Sequence, residues 1–383
     1  MRVAIIHYWF VNWRGGEKVL RAISDLFPQA DIFAHVADPG LIERELPGRR
    51  VNTTFISKLP FSRTQYQKYL SLMPLALEQL DLRSYDLIIS SESGPAKGVI
   101  VPPGAMHICY CHSPMRYVWD MYQEYTSQLG LMRRIVIAPL LHRLRVWDQL
   151  SAQRVDHYIA NSGFVAQRIQ KYYRRDAEVI HPPVAVHDFA ASRSTGDFFL
   201  WVGQFVGYKR PDLAVDAFNA LGLPLVMIGD GELLGRLKRK AKRNVSLLGR
   251  QPWEVVQDHY ARCRGVVFPG VEDFGIVPVE AMACGKPVIA YAAGGVLESV
   301  VNGSTGILFD EQTSEGLRRA IRTFESCEAQ FDPGALRQHA MRFSEQRFKD
   351  QFRTFLTAKL REIAPAPSEN ALENSLRPDL ESR

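Results

Sequence analysis

Residues 265–291 read GVVFPGVEDFGIVPVEAMACGKPVIAY. Two apolar runs, 265–269 and 287–291, bracket a polar loop and a helical stretch whose Pro278 suits a first turn. Neither run alternates apolar with polar residues, so each predicts a strand covered on both faces. A covered strand, a helix and a second covered strand make one unit of a parallel sheet.

The same alternation fills the chain on either side. Candidate strands at 2–10, 30–37, 84–91, 106–112, 156–161 and 177–181 form a first series. A second runs through 197–203, 224–229, 245–249, 265–269, 287–291 and 305–309. Helical periods lie between them, such as Leu20, Ile23, Leu26 and Phe27, or Leu213, Ala217 and Ala220 behind Pro211. The series break at His181-Pro182-Pro183, a stiff connection. The expected fold is α/β, with two Rossmann-like, doubly wound parallel-sheet domains at 1–182 and 183–343 facing across a cleft. A helix is expected over 344–363, with Phe348, Phe352, Phe355, Leu356 and Ile363 as its apolar face. Residues 364–383 lack a core pattern and read as a disordered tail.

Of the 383 residues, 46% are hydrophobic and 23% charged, which supports a sizeable core and excludes a disordered or collagen-like chain. No apolar run approaches the roughly 20 residues of a membrane span. The opening MRVAIIHYWFVNWRGG is interrupted by His7, Asn12 and Arg14, so no secretory leader is expected. Five cysteines without a C-x-x-C speak against a disulfide framework or structural zinc and for a reduced, cytoplasmic setting. The net charge of +6 is concentrated: nine Arg and Lys accompany two acids between Thr126 and Arg175, a local +7. That segment is either a polyanion-binding surface or a solvated helix face.

In open α/β sheets, ligands sit beyond the carboxyl ends of the strands. After the first strand, Gly15-Gly16-Glu17 precedes a helix, as either a tight turn or a phosphate loop. After the strand ending near Cys111 comes His112-Ser113-Pro114-Met115-Arg116-Tyr117-Val118-Trp119-Asp120, with His112 at the tip and Tyr117 and Trp119 readable as site or core aromatics. Asn161-Ser162-Gly163 reads first as a helix cap. In the second half, Gln204, Lys209 and Arg210 lie between a strand and the helix opened by Pro211. Cations before a helix start need an anion to offset the dipole. In Glu272-Asp273-Phe274-Gly275-Ile276-Val277-Pro278-Val279-Glu280, the amides of 275 to 277 could hold hydroxyls or phosphate oxygens. Glu272 and Glu280 are acceptors suited to a sugar or a ribose diol. There is no Asp-x-Asp and no P-loop, so a diphosphate would be held by Lys209, neighbouring cations and amides, with no metal and no cofactor.

In this order, these residues resemble family 4 of the retaining glycosyltransferases, which have the GT-B fold. Gly15-Gly16-Glu17, His112-Ser113-Pro114, Asn161-Ser162, Val202-Gly203, Tyr208-Lys209-Arg210, Gly229-Asp230-Gly231, Glu272-x7-Glu280 and Gly294-Gly295 carry the resemblance. It implies that the C-terminal helix crosses back to the first lobe. It further implies that Gly15, Gly16, Gln204, Lys209, Arg210, Phe274, Gly275, Ile276, Val277 and Glu280 line a sugar-nucleotide donor, with His112, Glu272 and Lys209 at the reacting end. Where the family usually has Arg, this chain has Gln204.

The strings CHSPMRYVWD and GYKRPDL are further similar to bacterial mannosyltransferases of polysaccharide assembly, which implies GDP-mannose as donor and a polyprenyl-diphosphate-linked or oligosaccharide acceptor. Arg116 and Tyr117, with Arg133, Arg134, Arg143 and Arg145 among Leu129, Leu131, Ile135, Ile137, Leu140 and Leu141, then read as an acceptor or membrane surface on an anionic inner leaflet. The segment Lys58 to Leu75 reads as a second such patch. The rival readings are a UDP-sugar-dependent transferase, a non-catalytic sugar-nucleotide-binding protein and a nucleic-acid-binding protein. The last lacks any base-reading module, so no nucleic-acid partner is expected.

Overall fold

The structure is a computed structural model that describes residues 1–127, 130–192 and 196–363. The tail expected at 364–383 lies outside the described residues. The chain divides into two compact units, one of Met1–His181 together with the chain from Lys349, the other of Pro182–Phe348.

The first unit is built on seven parallel strands: β1 Val3–His7, β2 Asp31–Ala34, β3 Val51–Thr53, β4 Leu87–Glu92, β5 Met106–Cys111, β6 His157–Ala160 and β7 Ala177–Val179. Their spatial order is β3-β2-β1-β4-β5-β6-β7, with Ile5 beside both Ile32 and Ile89. Every residue of β1, β4 and β5 is buried, the pattern of strands roofed by helices on both faces. Two expected strands end early. The chain bends at Tyr8 and at His35, and Trp9–Phe10 pairs with Val36–Ala37 as a separate two-stranded ladder. The edge strand β3 was not expected from sequence; Val-Asn-Thr is three residues long and partly exposed.

Three helices matter for the site: α1 Gly15–Leu26, α2 Leu131–Ser151 and α3 Gly163–Tyr173. Helix α1 buries Val19, Leu20, Ile23 and Leu26 at the predicted spacing. Helix α2 has two characters. Its C-terminal half buries Leu141, Leu144, Asp148 and Ser151, whereas Leu131, Met132, Ile135 and Val136 in its first turns are exposed. Among the described residues, no helix is long and apolar enough to cross a membrane.

A buried charge cluster ties these parts together. The Lys97 ammonium donates to Glu92 Oε1 at 3.1 Å and to Asp148 Oδ1, and all three side chains are fully buried. Glu92 Oε2 also accepts the backbone amides of Ala96 and Lys97, while Asp148 Oδ2 accepts Trp119 Nε1 at 2.7 Å and the Tyr173 hydroxyl at 2.9 Å. Burial pushes the Glu92 carboxyl up, partly countered by Lys97. Burial also disfavours the Lys97 cation, but Asp148 and Glu92 outweigh it and hold its pKa above the usual lysine range.

The second unit has six parallel strands: β8 Phe199–Val202, β9 Leu225–Ile228, β10 Val245–Gly249, β11 Val266–Phe268, β12 Val288–Tyr291 and β13 Gly306–Phe309. Their order is β10-β9-β8-β11-β12-β13, so the winding reverses between β8 and β11. Helix α4, Pro211–Leu221, follows β8, and α5, Ile276–Ala283, follows β11. The last helix, α6 Glu345–Ile363, buries Phe348, Phe352 and Leu356. From Lys349 onward it belongs to the first unit, where Lys349 Nζ meets Asp25 at 2.9 Å and Phe355 lies edge-on to His157.

Lys97→Met would leave two buried carboxylates without their cation. It should cost about 3–5 kcal/mol in urea unfolding; a loss below about 1 kcal/mol would mean that the cluster is not a buried ionic network.

Candidate active site

In the second unit, the site forms where the sheet's winding reverses. The loop after β8 carries Lys209, and the loop after β11 carries Glu272. Lys209 Nζ meets Glu272 Oε1 at 2.7 Å, with both side chains mostly buried. The loop after β12 closes on the same place: Gly295 N donates to the Glu272 carbonyl at 2.9 Å. A Cβ on Gly295 would lie 2.2 Å from the Asp273 carbonyl oxygen, so only glycine lets these loops touch. Gly275 caps α5 with a left-handed backbone, and the first amides of that helix have no intrahelical acceptor.

The cations before α4 have internal anions. Arg210, itself left-handed, donates through Nε to Asp212 at 3.1 Å, and Lys209 has Glu272. The anion that Arg210 required is therefore Asp212, in the first turn of α4, a residue the sequence reading passed over. Gln204 lies in the loop after β8, its carbonyl accepting Val206 N. Glu280 falls one residue beyond the first turn of α5 and is buried, with Oε2 accepting the Tyr260 hydroxyl at 3.0 Å. Burial, then Glu280, pushes the Tyr260 phenol far up, so it stays a donor. The Phe274 ring is buried 5.4 Å from that of Phe343, leaving only its backbone on the loop.

In the first unit, the corresponding residues gather around Gly16. A Cβ there would lie 2.5 Å from the Tyr8 hydroxyl and 3.5 Å from His112 Nε2. His112 Nε2 hydrogen-bonds Ser91 Oγ at 2.8 Å, and its carbonyl accepts Asn161 Nδ2 at 2.9 Å. Ser162 caps α3 by accepting Val165 N, the capping role expected of it. Gly15 opens α1, where Glu17 accepts the Arg14 amide at 2.9 Å. Glu17 also lies 3.8 Å from the buried His7, neither of whose ring nitrogens has a hydrogen bond. Tyr8 and His7 were missed because, within an apolar run, they read as strand residues. Burial, then His7, pulls the His112 pKa down to about 3, so this imidazole is neutral at pH 7.

The segment after His112 is clamped from behind. Arg168 donates to Ser113 Oγ at 2.8 Å and to Asp120 Oδ1 at 2.6 Å. Trp119 is fixed by Asp148 and stacks on Tyr172. Arg145 turns inward, donating to the Val118 carbonyl and lying over Tyr122, rather than facing outward as expected. Tyr117 packs in a small core with Met115, Val118, Leu141 and Leu144, its hydroxyl on Met115 Sδ; Arg116 is half-buried, one guanidinium nitrogen 3.8 Å from Met121 Sδ. Of the expected outward-facing residues, Arg133, Arg134, Arg143, Leu131, Ile135 and Leu140 are exposed, Leu141 is buried, and Leu129 lies outside the described residues.

Residues 13–188 match the family model Glycosyltransferase Family 4, and residues 186–348 match Glycosyl transferases group 1. The chain belongs to the family 4 glycosyltransferases of GT-B fold. It is 28% identical to a D-inositol 3-phosphate glycosyltransferase of Geodermatophilus obscurus, over 60% of this chain and 58% of that one. It is 31% identical to O-antigen chain mannosyltransferase C of Escherichia coli, over 47% of this chain and 51% of that one. The chain thus spans little more than half the length of these curated relatives. An Anabaena protein crystallised with UDP-glucose has the same fold, with a TM-score of 0.70, 19% identity and coverage of 94% of this chain and 100% of that one.

Burial sets the acid sensitivity of the first unit. It lowers the pKa of His35 and of His107 to about 4 each, as it lowers that of His112. All three take up protons near pH 6.5 when unfolded but resist them when folded. Their stabilisation is therefore complete above about pH 6.5 and is lost as the pH falls toward 4. Urea unfolding at stepped pH should show a decline of up to about 1.4 kcal/mol per pH unit for each histidine. Stability that rises on acidification through this window would contradict the assignment.

Proposed function

We infer that the protein transfers a hexose from a sugar nucleotide, with retention, to a lipid-linked or oligosaccharide acceptor in polysaccharide or glycolipid biosynthesis. The observation that carries this is the Lys209–Glu272 pair, set where the sheet reverses and beside the open amides of α5. An arriving diphosphate would draw Lys209 away from Glu272, since a doubly charged group outbids a carboxylate for one ammonium. Glu272, released, would accept hydrogen bonds from the sugar's hydroxyls. Lys209 and the helix amides would stabilise the leaving diphosphate, and the proposal includes no metal or cofactor. Glu280, held by the Tyr260 hydroxyl, would accept hydrogen bonds from a ribose diol. His112, uncharged, would act as a hydrogen-bonding group toward the sugar rather than as a cation.

The mannosyltransferase relative supports mannose as the sugar, and GDP-mannose is then the proposed donor. The UDP-glucose carried by a protein of this fold supports a UDP-sugar as the second reading. The exposed Leu131, Met132, Ile135 and Val136 beside Arg133 and Arg134 suit peripheral contact with an anionic inner leaflet.

With radiolabelled GDP-mannose or UDP-glucose and a bacterial lipid extract, the wild type should yield an α-linked product. Lys209→Ala should lower the transfer rate roughly 10²–10³-fold, the scale of losing one preorganised charge stabiliser. A Lys209→Ala rate within about threefold of wild type would remove that residue from the leaving-group site. Flotation with anionic vesicles should be lost in R133E/R134E; flotation indifferent to lipid charge would remove the membrane reading.

A further inference from the structure

We propose that a cavity at the edge of the first sheet is a separate anion site, for a phosphate ester whose organic part is apolar or neutral. The cavity, about 610 Å³, lies wholly within the first unit and is lined by residues of β3, of the helix Pro39–Glu45 and of the turn Ser62–Gln65. That size suits a small organic ligand rather than a bare ion.

Its floor is apolar, with Val36, Ile42 and Leu46 buried. Its charged groups are Arg49, Arg50, Arg63 and Glu43. Arg49 is already committed, donating to the carbonyls of Ser24, Phe27 and Pro28 at the end of α1. Arg50 and Arg63 are exposed, and among the described residues neither has a hydrogen bond or ion pair. Glu43 lines the same cavity yet pairs with neither. Arg50 and Arg63 come from different elements to one concave surface, where both are open to an anion. With Arg49, Arg50 and Arg63 against Glu43 alone, the lining carries an excess of positive charge. Guanidinium forks match phosphate oxygens in pairs, and the apolar floor would take the body of the ligand.

The local backbone agrees. Phe61, two residues before Arg63, is 73% exposed and sits in the left-handed region with φ +54°. A bulky residue is seldom found there, and this one turns the chain into the segment that presents Arg63. The proposal stands apart from sugar transfer, because it uses only the sheet edge of the first unit; either can fail without the other.

The test uses the full chain saturated with GDP and UDP, titrated calorimetrically with inorganic pyrophosphate. Binding should weaken at least about tenfold in R50A/R63A, while the Tm stays unchanged because neither arginine has a partner to lose. Flotation on vesicles of phosphatidic acid in phosphatidylcholine, against phosphatidylcholine alone, identifies the source of the phosphate. Flotation lost in R50A/R63A assigns it to a lipid headgroup. Flotation unaffected, with pyrophosphate binding weakened, assigns it to a soluble ester. Pyrophosphate binding and flotation both indifferent to R50A/R63A would overturn the proposal, whatever the nucleotides do.

Discussion

The candidate site of the second unit is organised by one ion pair. Lys209 and Glu272 come from loops after β8 and β11, neighbouring strands whose following helices leave on opposite sides of the sheet. Beyond the strand ends the two loops are joined by one backbone bond, Val271 N donating to the Tyr208 carbonyl at 3.3 Å, and by this side-chain pair. A mostly buried lysine and glutamate 2.7 Å apart satisfy each other, but removing either would strand a charge in a poorly solvated place. The pair therefore fixes a cation between the loops after β8 and β11.

Backbone packing enforces the same geometry. The loop after β12 can reach the Glu272 carbonyl only through a glycine, and the loop after β11 must turn left-handed at Gly275 to start α5. In the first unit, the segment after His112 is held by Arg168, Arg145 and Asp148, all from helices behind it. Helix α2 contributes two of those three restraints and also bears the exposed apolar turns.

The covered strands were readable because their apolar runs have no polar partner face, as in β4 and β5. The Val-Asn-Thr edge strand was not, since three residues pairing on one side carry no periodicity. Lys209, Glu272 and His112 were legible from their positions at strand ends. The neighbours of Arg210, Gly16 and Glu280 were not: Asp212, Tyr8 and Tyr260 are ordinary helix or strand residues by pattern, and only the fold brings them there. Lys97 hid for the same reason. It looks like a solvated lysine in a loop of small residues, and its two carboxylates lie 5 and 51 residues away.

The most direct test of the central claim is a thermal-unfolding panel with GDP, UDP and ADP on the wild type and on Lys209→Ala. If Lys209 is the cation of a nucleotide-diphosphate site, one nucleotide at ~100 times its Kd should add roughly 2.7 kcal/mol of stability, a rise of several degrees. That rise should vanish in Lys209→Ala. A wild type indifferent to every nucleotide, or a Lys209→Ala variant stabilised as much as wild type, would contradict it.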